Sequence, residues 1–315
     1  MKEFKTYQAQ LDLLKSRNLI IENEEWTLQK LKEENYYNII NGYKDLFLDS
    51  TKEDEFIKEA TFKEIYFLYD FDRNLRNILL KSILKVENTL RSLIAYIFSQ
   101  KYGHDNYLKI DNFETLKSTS PSKKTLDDRL LHIQSLLASI QHDISKSIQK
   151  KPYINHYITK HGFIPLWVLV NIMSLGRLSQ FYSLMKQKER VEVSKHWNIL
   201  ESDLTQYIKV LAFYRNLCAH DERIYNSKCN IYIPDTSYHA TLNIDLVNNS
   251  FINGKNDLFS LIIVLKILLP KEDFKNMCNK INSKMNILKN ISSINYKEIF
   301  NLMGFPDNWL KLKQL

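Results

Sequence analysis

Between Thr61 and Tyr102 the chain carries apolar residues at three- and four-residue steps: Ile65, Leu68 and Tyr69, then Leu75, Ile78, Leu79, Ile83, Val86, Leu90, Leu93, Ile94 and Ile97. That period belongs to one face of an α-helix, and Thr61 with Glu64 three residues on is the signature of a capping box at its start. A helix of this length becomes the axis around which shorter elements must pack. The rest of the chain agrees with a helical fold, since Gly and Pro number only six each in 315 residues and turns are therefore few.

Shorter helices are predicted over Thr6 to Arg17 and Glu25 to Glu34, joined by the extended Asn18-Leu19-Ile20-Ile21, and from about Thr125 to Lys150. Asn106 to Lys124 reads as a surface loop, ending in Ser118-Thr119-Ser120-Pro121-Ser122. Pro165 to Gly176 starts with proline and continues almost wholly apolar, so it is expected to be one central core helix. Another helix is expected from Leu204 to His220, with Leu204, Ile208, Leu211 and Cys218 on or near its apolar stripe. Asn226 to Asn253 reads as a loop with a short strand pair, and helices resume from Asn256 to about Phe300. The organisation expected is an N-terminal helical segment (1–60), a helical core (61–225), and a loop plus C-terminal helices (226–315) packed with that core.

A net charge of +8 and a pI near 9.1 favour a polyanionic partner, most simply nucleic acid, although a lysine-rich solubilising surface gives the same balance. Ten lysines against five acids between Lys255 and Lys313 make that region the first place to look for backbone contact, with a solvated face as the plainer explanation. No secretory signal is expected in Met1 to Lys15, because Glu3, Lys5, Gln8, Gln10 and Asp12 stand where an apolar core would be needed. Leu258 to Leu269 is too short to span a bilayer and contains Lys266. Three scattered cysteines, Cys218, Cys229 and Cys278, argue for reduced thiols in a cytoplasmic protein and against a disulfide framework or a zinc site.

The chemistry concentrates in Arg215-Asn216-Leu217-Cys218-Ala219-His220-Asp221-Glu222-Arg223. A permanent cation and an imidazole, the side chain that ordinarily titrates near neutral pH, suit phosphodiester cleavage in RNA with no metal and no cofactor. His220 would accept the 2′-hydroxyl proton or protonate the leaving 5′-oxygen. Arg215 would neutralise charge on the phosphoryl oxygens, and Asn216 would orient phosphate or imidazole. Five positions are about 140° on an ideal helix, so Arg215 must reach across, whereas Asn216 and His220 share a face. One imidazole is too few for both acid and base, and a homodimer would supply the second. The plainer reading has Arg215 capping a buried carboxylate and His220 as a satisfied core histidine.

Two further features are open at this level. Glu87 and Arg91, at i, i+4, are either an exposed pair or a buried pair orienting a catalytic group. Tyr36-Tyr37-Asn38-Ile39-Ile40-Asn41-Gly42-Tyr43 reads as an aromatic wedge packed between helices in preference to a base-stacking platform.

The segment Arg215 to His220, with Arg223 and Asn226, resembles the R-x4-H signature of the HEPN ribonuclease superfamily, in the form of the abortive-infection Abi family. The likeness extends through Tyr7, Gln10-Leu11 and Leu13 to Ile21, through Phe62 to Arg76 and Val86 to Arg91, through Pro165-Leu166-Trp167 and Ser174 to Ser179, and to Gly304-Phe305-Pro306-Asp307-Asn308-Trp309. Three positions depart from the family pattern: Asn18 where Gly is usual, Lys44 where an aromatic is common, and Asn171 where many have Glu. The resemblance implies an all-α, HEPN-type helical bundle with N- and C-terminal helical extensions and a short irregular or β insertion near 226–253. It implies a homodimeric, metal-independent endoribonuclease of phage defence or toxin type that leaves a 2′,3′-cyclic phosphate, with a small structured non-coding RNA as bound partner or antitoxin. Arg215, Asn216 and His220 take the active-site positions; Arg73, Arg76, Glu87, Arg91, Arg223 and Asn226 are candidates for RNA binding or for supporting the site. Two other classes remain in view, a non-catalytic RNA-binding module using the same motif and a structural dimerisation protein acting through other toxins.

Overall fold

A computed structural model describes residues 3–115 and 123–315, with side chains from residue 126 onward in the second stretch. In chain order the helices are α1 (Tyr7–Ser16), α2 (Glu24–Glu34), α3 (Phe62–Tyr102), α4 (Lys123–Ser147), α5 (Pro152–His161), α6 (Leu166–Leu169), α7 (Leu175–Leu184), α8 (Gln187–Ser194), α9 (Glu201–Ala219), α10 (Ser237–Thr241), α11 (Leu258–Leu268), α12 (Lys271–Leu288) and α13 (Tyr296–Leu302). One antiparallel pair, β1 (Leu246–Val247) with β2 (Ser250–Phe251), interrupts them. The fold is all-α with a small irregular insertion.

Helix α3 is the axis. Its 41 residues span about 60 Å at 1.5 Å per residue. Most of the apolar stripe that the sequence spaces so regularly is buried between Ile65 and Phe98, while Ile78, Leu93 and Ile97 are half-buried. The capping box closes as the sequence predicts: Glu64 N–H donates to Thr61 Oγ1 at 3.1 Å, and Thr61 N–H to Glu64 Oε2 at 3.2 Å. The other Glu64 oxygen accepts the Ser292 and Ser293 N–H groups at 2.7 and 3.0 Å, which ties the start of α3 to the segment after α12. Helix α12 lies along α3, and α9 packs on both α3 and α7. At the N-terminus Asn18 has φ +68°, in the region that favours glycine. Its amide donates to Glu55 at 2.9 Å.

The region 165–176 departs from expectation. The predicted single core helix is broken into α6 and the start of α7, with Val170–Ser174 as a turn. Ser174 explains the break, because its hydroxyl accepts the Arg177 N–H at 3.2 Å and so starts a new helix. Leu166, Leu169, Met173 and Leu175 are buried as expected, but Trp167 is half exposed and Asn171 faces solvent. Ser118–Ser122, read as loop, lies outside the described residues. The strand pair falls at 246–251, near the end of the stretch expected to be irregular.

The insertion is organised by one histidine. His239 is fully buried, and its Nδ1 takes the Thr236 N–H at 3.1 Å while Nε2 meets the Gly254 carbonyl at 3.0 Å. A backbone N–H only donates and a carbonyl only accepts, so the neutral Nε2–H tautomer is required. Burial pushes its pKa below the ordinary value, against the upward pull of the Gly254 carbonyl. A base whose folded pKa is depressed contributes its full stability above its unfolded pKa near 6.5, and loses it as the pH falls below that value. Unfolding free energy should therefore fall by up to about 1.4 kcal/mol per pH unit as the pH drops below about 6.5 on this account. His239→Gln should flatten that slope in urea titrations at paired pH values, and an unchanged slope would refute the assignment. Close by, Gly304 (φ +77°) lets the C-terminal turn press on Asp257, since a Cβ there would stand 2.3 Å from that carboxylate. Asp257 in turn caps α11 through the Ser260 N–H at 3.0 Å. Among the described residues no helix is long and apolar enough to cross a membrane.

Candidate active site

Helix α9 delivers the motif. It opens with Glu201 and Asp203 in its first turn, buries Leu204, Ile208, Leu211 and Cys218, and ends at Ala219. His220 is its C-cap, with its N–H on the Asn216 carbonyl at 3.0 Å. The next residue, Asp221, has φ +58°, which turns the chain sharply away. The helix therefore ends where the imidazole begins. His220 and Asn216 are both exposed, and the His220 ring makes no hydrogen bond among the described residues. A core histidine is excluded. Cys218 is the buried member of the motif, and burial pushes its thiol up to about 12, so it packs instead of attacking.

His220 opens onto a pocket of about 510 Å³ shared with Tyr37, Asn41, Tyr43, Tyr69, Leu217 and Arg223. The wall carrying His220 is fixed from beneath by a buried ion pair, Asp72 with Arg76, at 2.7 Å. Asp72 also accepts from the Tyr43 hydroxyl at 2.7 Å, the Ile224 N–H at 3.1 Å and the Tyr225 N–H at 2.8 Å. Burial pushes the Asp72 carboxyl up, yet all four partners donate, which is the arrangement an ionised carboxylate needs. Arg76 reaches the Asp221 carboxylate at 2.5 Å and the Glu222 carbonyl at 3.3 Å. Residues 221–225, immediately after the histidine, thus hang on two side chains of α3. Arg76 supports the site and is too buried to be a phosphate ligand, with 2% exposure.

Arg215 lies elsewhere on the same helix. It is not among the residues lining the His220 pocket. Its Nε stands 3.9 Å from Glu87 Oε2, and Glu87 is 2% exposed. The plainer sequence reading, an Arg against a buried carboxylate, thus describes Arg215 correctly while failing for His220. The Glu87–Arg91 pair is the buried alternative: Arg91 bonds the other Glu87 oxygen, and also the Met173 carbonyl at 2.8 Å. That carbonyl is free because the helix breaks between α6 and α7. Glu87 Oε2 and Arg215 Nε both lack a hydrogen-bond partner among the described residues, so a small approach would close a bond that now rests as an ion pair.

The remaining candidates divide. Arg223 lines the His220 pocket and is held by the Gly42 carbonyl, with Asp45 at 3.4 Å. Arg73 is taken up by Glu34 at 2.6 Å and Asp70 at 3.3 Å, docking α2 on α3. Asn226 is half-buried and does not line the pocket. Lys44 pairs with Asp54, as does Arg17 at 2.6 Å. Sequence reasoning missed Asp72, although its i, i+4 spacing to Arg76 was the available signal, and it favoured an aromatic wedge for the run that holds Tyr37 and Asn41, which line this pocket. Among the described residues no group of three or more His, Cys, Asp or Glu side chains is placed to hold a metal ion.

No curated protein and no solved structure matches the chain. Residues 29–226, running from within α2 to just past the motif, match the family model described as Abi-like protein. The chain belongs to the Abi-like protein family.

Proposed function

We propose that this chain is a metal-independent, HEPN-type endoribonuclease acting in abortive-infection defence, with Arg215, Asn216 and His220 as its working residues and a small structured non-coding RNA as its restraint. The observation that carries the reading is the exposed imidazole of His220 at the mouth of an open pocket, on a helix whose Arg215 is positioned by the buried Glu87. In the reaction, one imidazole takes the proton of a ribose 2′-hydroxyl and the 2′-oxygen attacks phosphorus. The bond to the 5′-oxygen breaks, a second imidazole protonates the leaving oxygen, and the products are a 2′,3′-cyclic phosphate and a 5′-hydroxyl. Arg215 stabilises the charge on the phosphoryl oxygens.

A single chain offers one exposed imidazole at this pocket, with Arg215 off it, so the proposed site is completed by a second copy of α9 in a homodimer. The same separation of Arg215 from the His220 pocket favours a second reading, a non-catalytic RNA-binding module. Incubating the purified chain with RNA in excess chelator separates them. The nuclease reading expects fragments ending in 2′,3′-cyclic phosphate; tight, steeply salt-dependent binding with no fragments would leave only the second.

A further inference from the structure

The sequence Tyr36 to Tyr43 holds three tyrosines, and the structure uses them differently. Tyr43 is 3% exposed, stacked on Tyr225 and edge-on to Tyr69, with its hydroxyl on Asp72. Tyr36 is half-buried. Tyr37 is 69% exposed and makes no ring contact among the described residues. It starts a π-helical turn, Tyr37–Asn41, a rare conformation that recurs at functional sites. The turn is anchored by Ile39 and Ile40, both fully buried, so its outer face is presented on a fixed base. That face carries Asn38 and Asn41, whose side-chain amides make no hydrogen bond among the described residues, and both line the His220 pocket with Tyr37. Tyr37 and Asn41 also line the adjoining cavity of about 710 Å³, where Lys5 stands and where Arg17 and Lys44 both pair with Asp54, two cations on one carboxylate.

A free aromatic face, two unpaired amides and cations further along are the parts a single-stranded nucleic acid requires. Bases stack on the ring, amides bond base edges in pairs, and phosphates follow the positive charge. A base inside a duplex has no free face to offer, so the ligand is single-stranded. We propose that the turn Tyr37–Asn41 is a base-binding subsite beside His220, in which Tyr37 stacks on one base of a single-stranded RNA and Asn38 and Asn41 select it by its edge. The subsite rests on the nuclease reading for its purpose, since it would fix which nucleotide lies next to the scissile phosphate, but its binding can be measured apart from cleavage.

The test uses the full chain, labelled single-stranded RNA dodecamers of each base, and the variants Tyr37→Ala, Tyr37→Phe, Asn41→Ala and His220→Ala. Tyr37→Ala should weaken binding about 10- to 100-fold, the size of one lost base stack, with the slope of affinity against salt unchanged. Tyr37→Phe should stay within about twofold, because the ring and not the hydroxyl does the stacking. Asn41→Ala should level the affinities among the four dodecamers and broaden the choice of cleavage site. Tyr37→Ala binding within twofold of wild type, with the same cleavage sites, overturns the subsite. If that happens while His220→Ala loses cleavage, only the subsite falls. Weak binding by Tyr37→Ala in a chain that never cleaves upholds the subsite and overturns the nuclease reading. A wild-type chain that binds no RNA overturns both.

Discussion

Replacing His220 by Ala is expected to slow RNA cleavage by about 10²–10⁴-fold, the range that a positioned general acid or base supplies, and to leave unfolding within about 0.5 kcal/mol of wild type. The separation follows from position. The imidazole is exposed past the last residue of α9 and holds no other side chain in place, so truncating it removes chemistry without removing packing. Arg215→Lys probes the other half of the site. Lysine keeps the charge and loses the planar fork, so the rate should fall while RNA affinity and its salt dependence stay close to wild type. Single-turnover rates and urea midpoints on the same preparations check both variants. Full activity in His220→Ala would remove His220 from the mechanism. Because the proposed site needs two imidazoles, activity per chain should also fall when the protein is diluted below its dimer dissociation constant, and concentration-independent activity would confine catalysis to one chain.

Long-period patterns and self-closing motifs were legible in the sequence, and the places where the chain breaks or turns between helices were not. The stripe from Ile65 to Ile97 and the Thr61–Glu64 box specify α3 because each rests on many residues repeating one rule, or on a motif that closes on itself. Pro165 to Gly176 was misjudged because hydrophobicity alone cannot separate a buried helix from a buried turn, and Ser174 competes for the backbone as a cap. The motif was legible as residue types, but not the side each residue serves. The 140° between Arg215 and His220 allows Arg215 to turn toward Glu87, a residue 128 positions earlier, and only tertiary packing decides that. Tyr37, Tyr36 and Tyr43 share a composition signal. The π-helical turn that exposes one and buries another leaves no simple periodicity in the sequence.

Asp72→Ala should be the most destabilising single change near the site, lowering unfolding free energy by about 3–5 kcal/mol. The substitution leaves the Arg76 cation 2% exposed without its principal counter-ion and strands the Ile224 and Tyr225 N–H groups together with the Tyr43 hydroxyl. Each orphaned donor retains its desolvation penalty, so the loss exceeds that of an ordinary ion pair. Arg73→Ala is the control, because Arg73 is 34% exposed in its ion pairs with Glu34 and Asp70 and its removal should cost about 1 kcal/mol or less. Urea midpoints measured side by side should rank Asp72→Ala far below Arg73→Ala; equal midpoints would mean that Asp72 does not hold the 221–225 loop. Catalysis gives a second readout. Asp72 fixes the residues immediately after His220 and the tyrosine floor of its pocket, so the folded fraction of Asp72→Ala should cleave more slowly than wild type, at low temperature and with added osmolyte to restore folding. Stability and placement of the imidazole are thus coupled through one buried carboxylate, and the chain can present an exposed histidine because the residues after it are anchored.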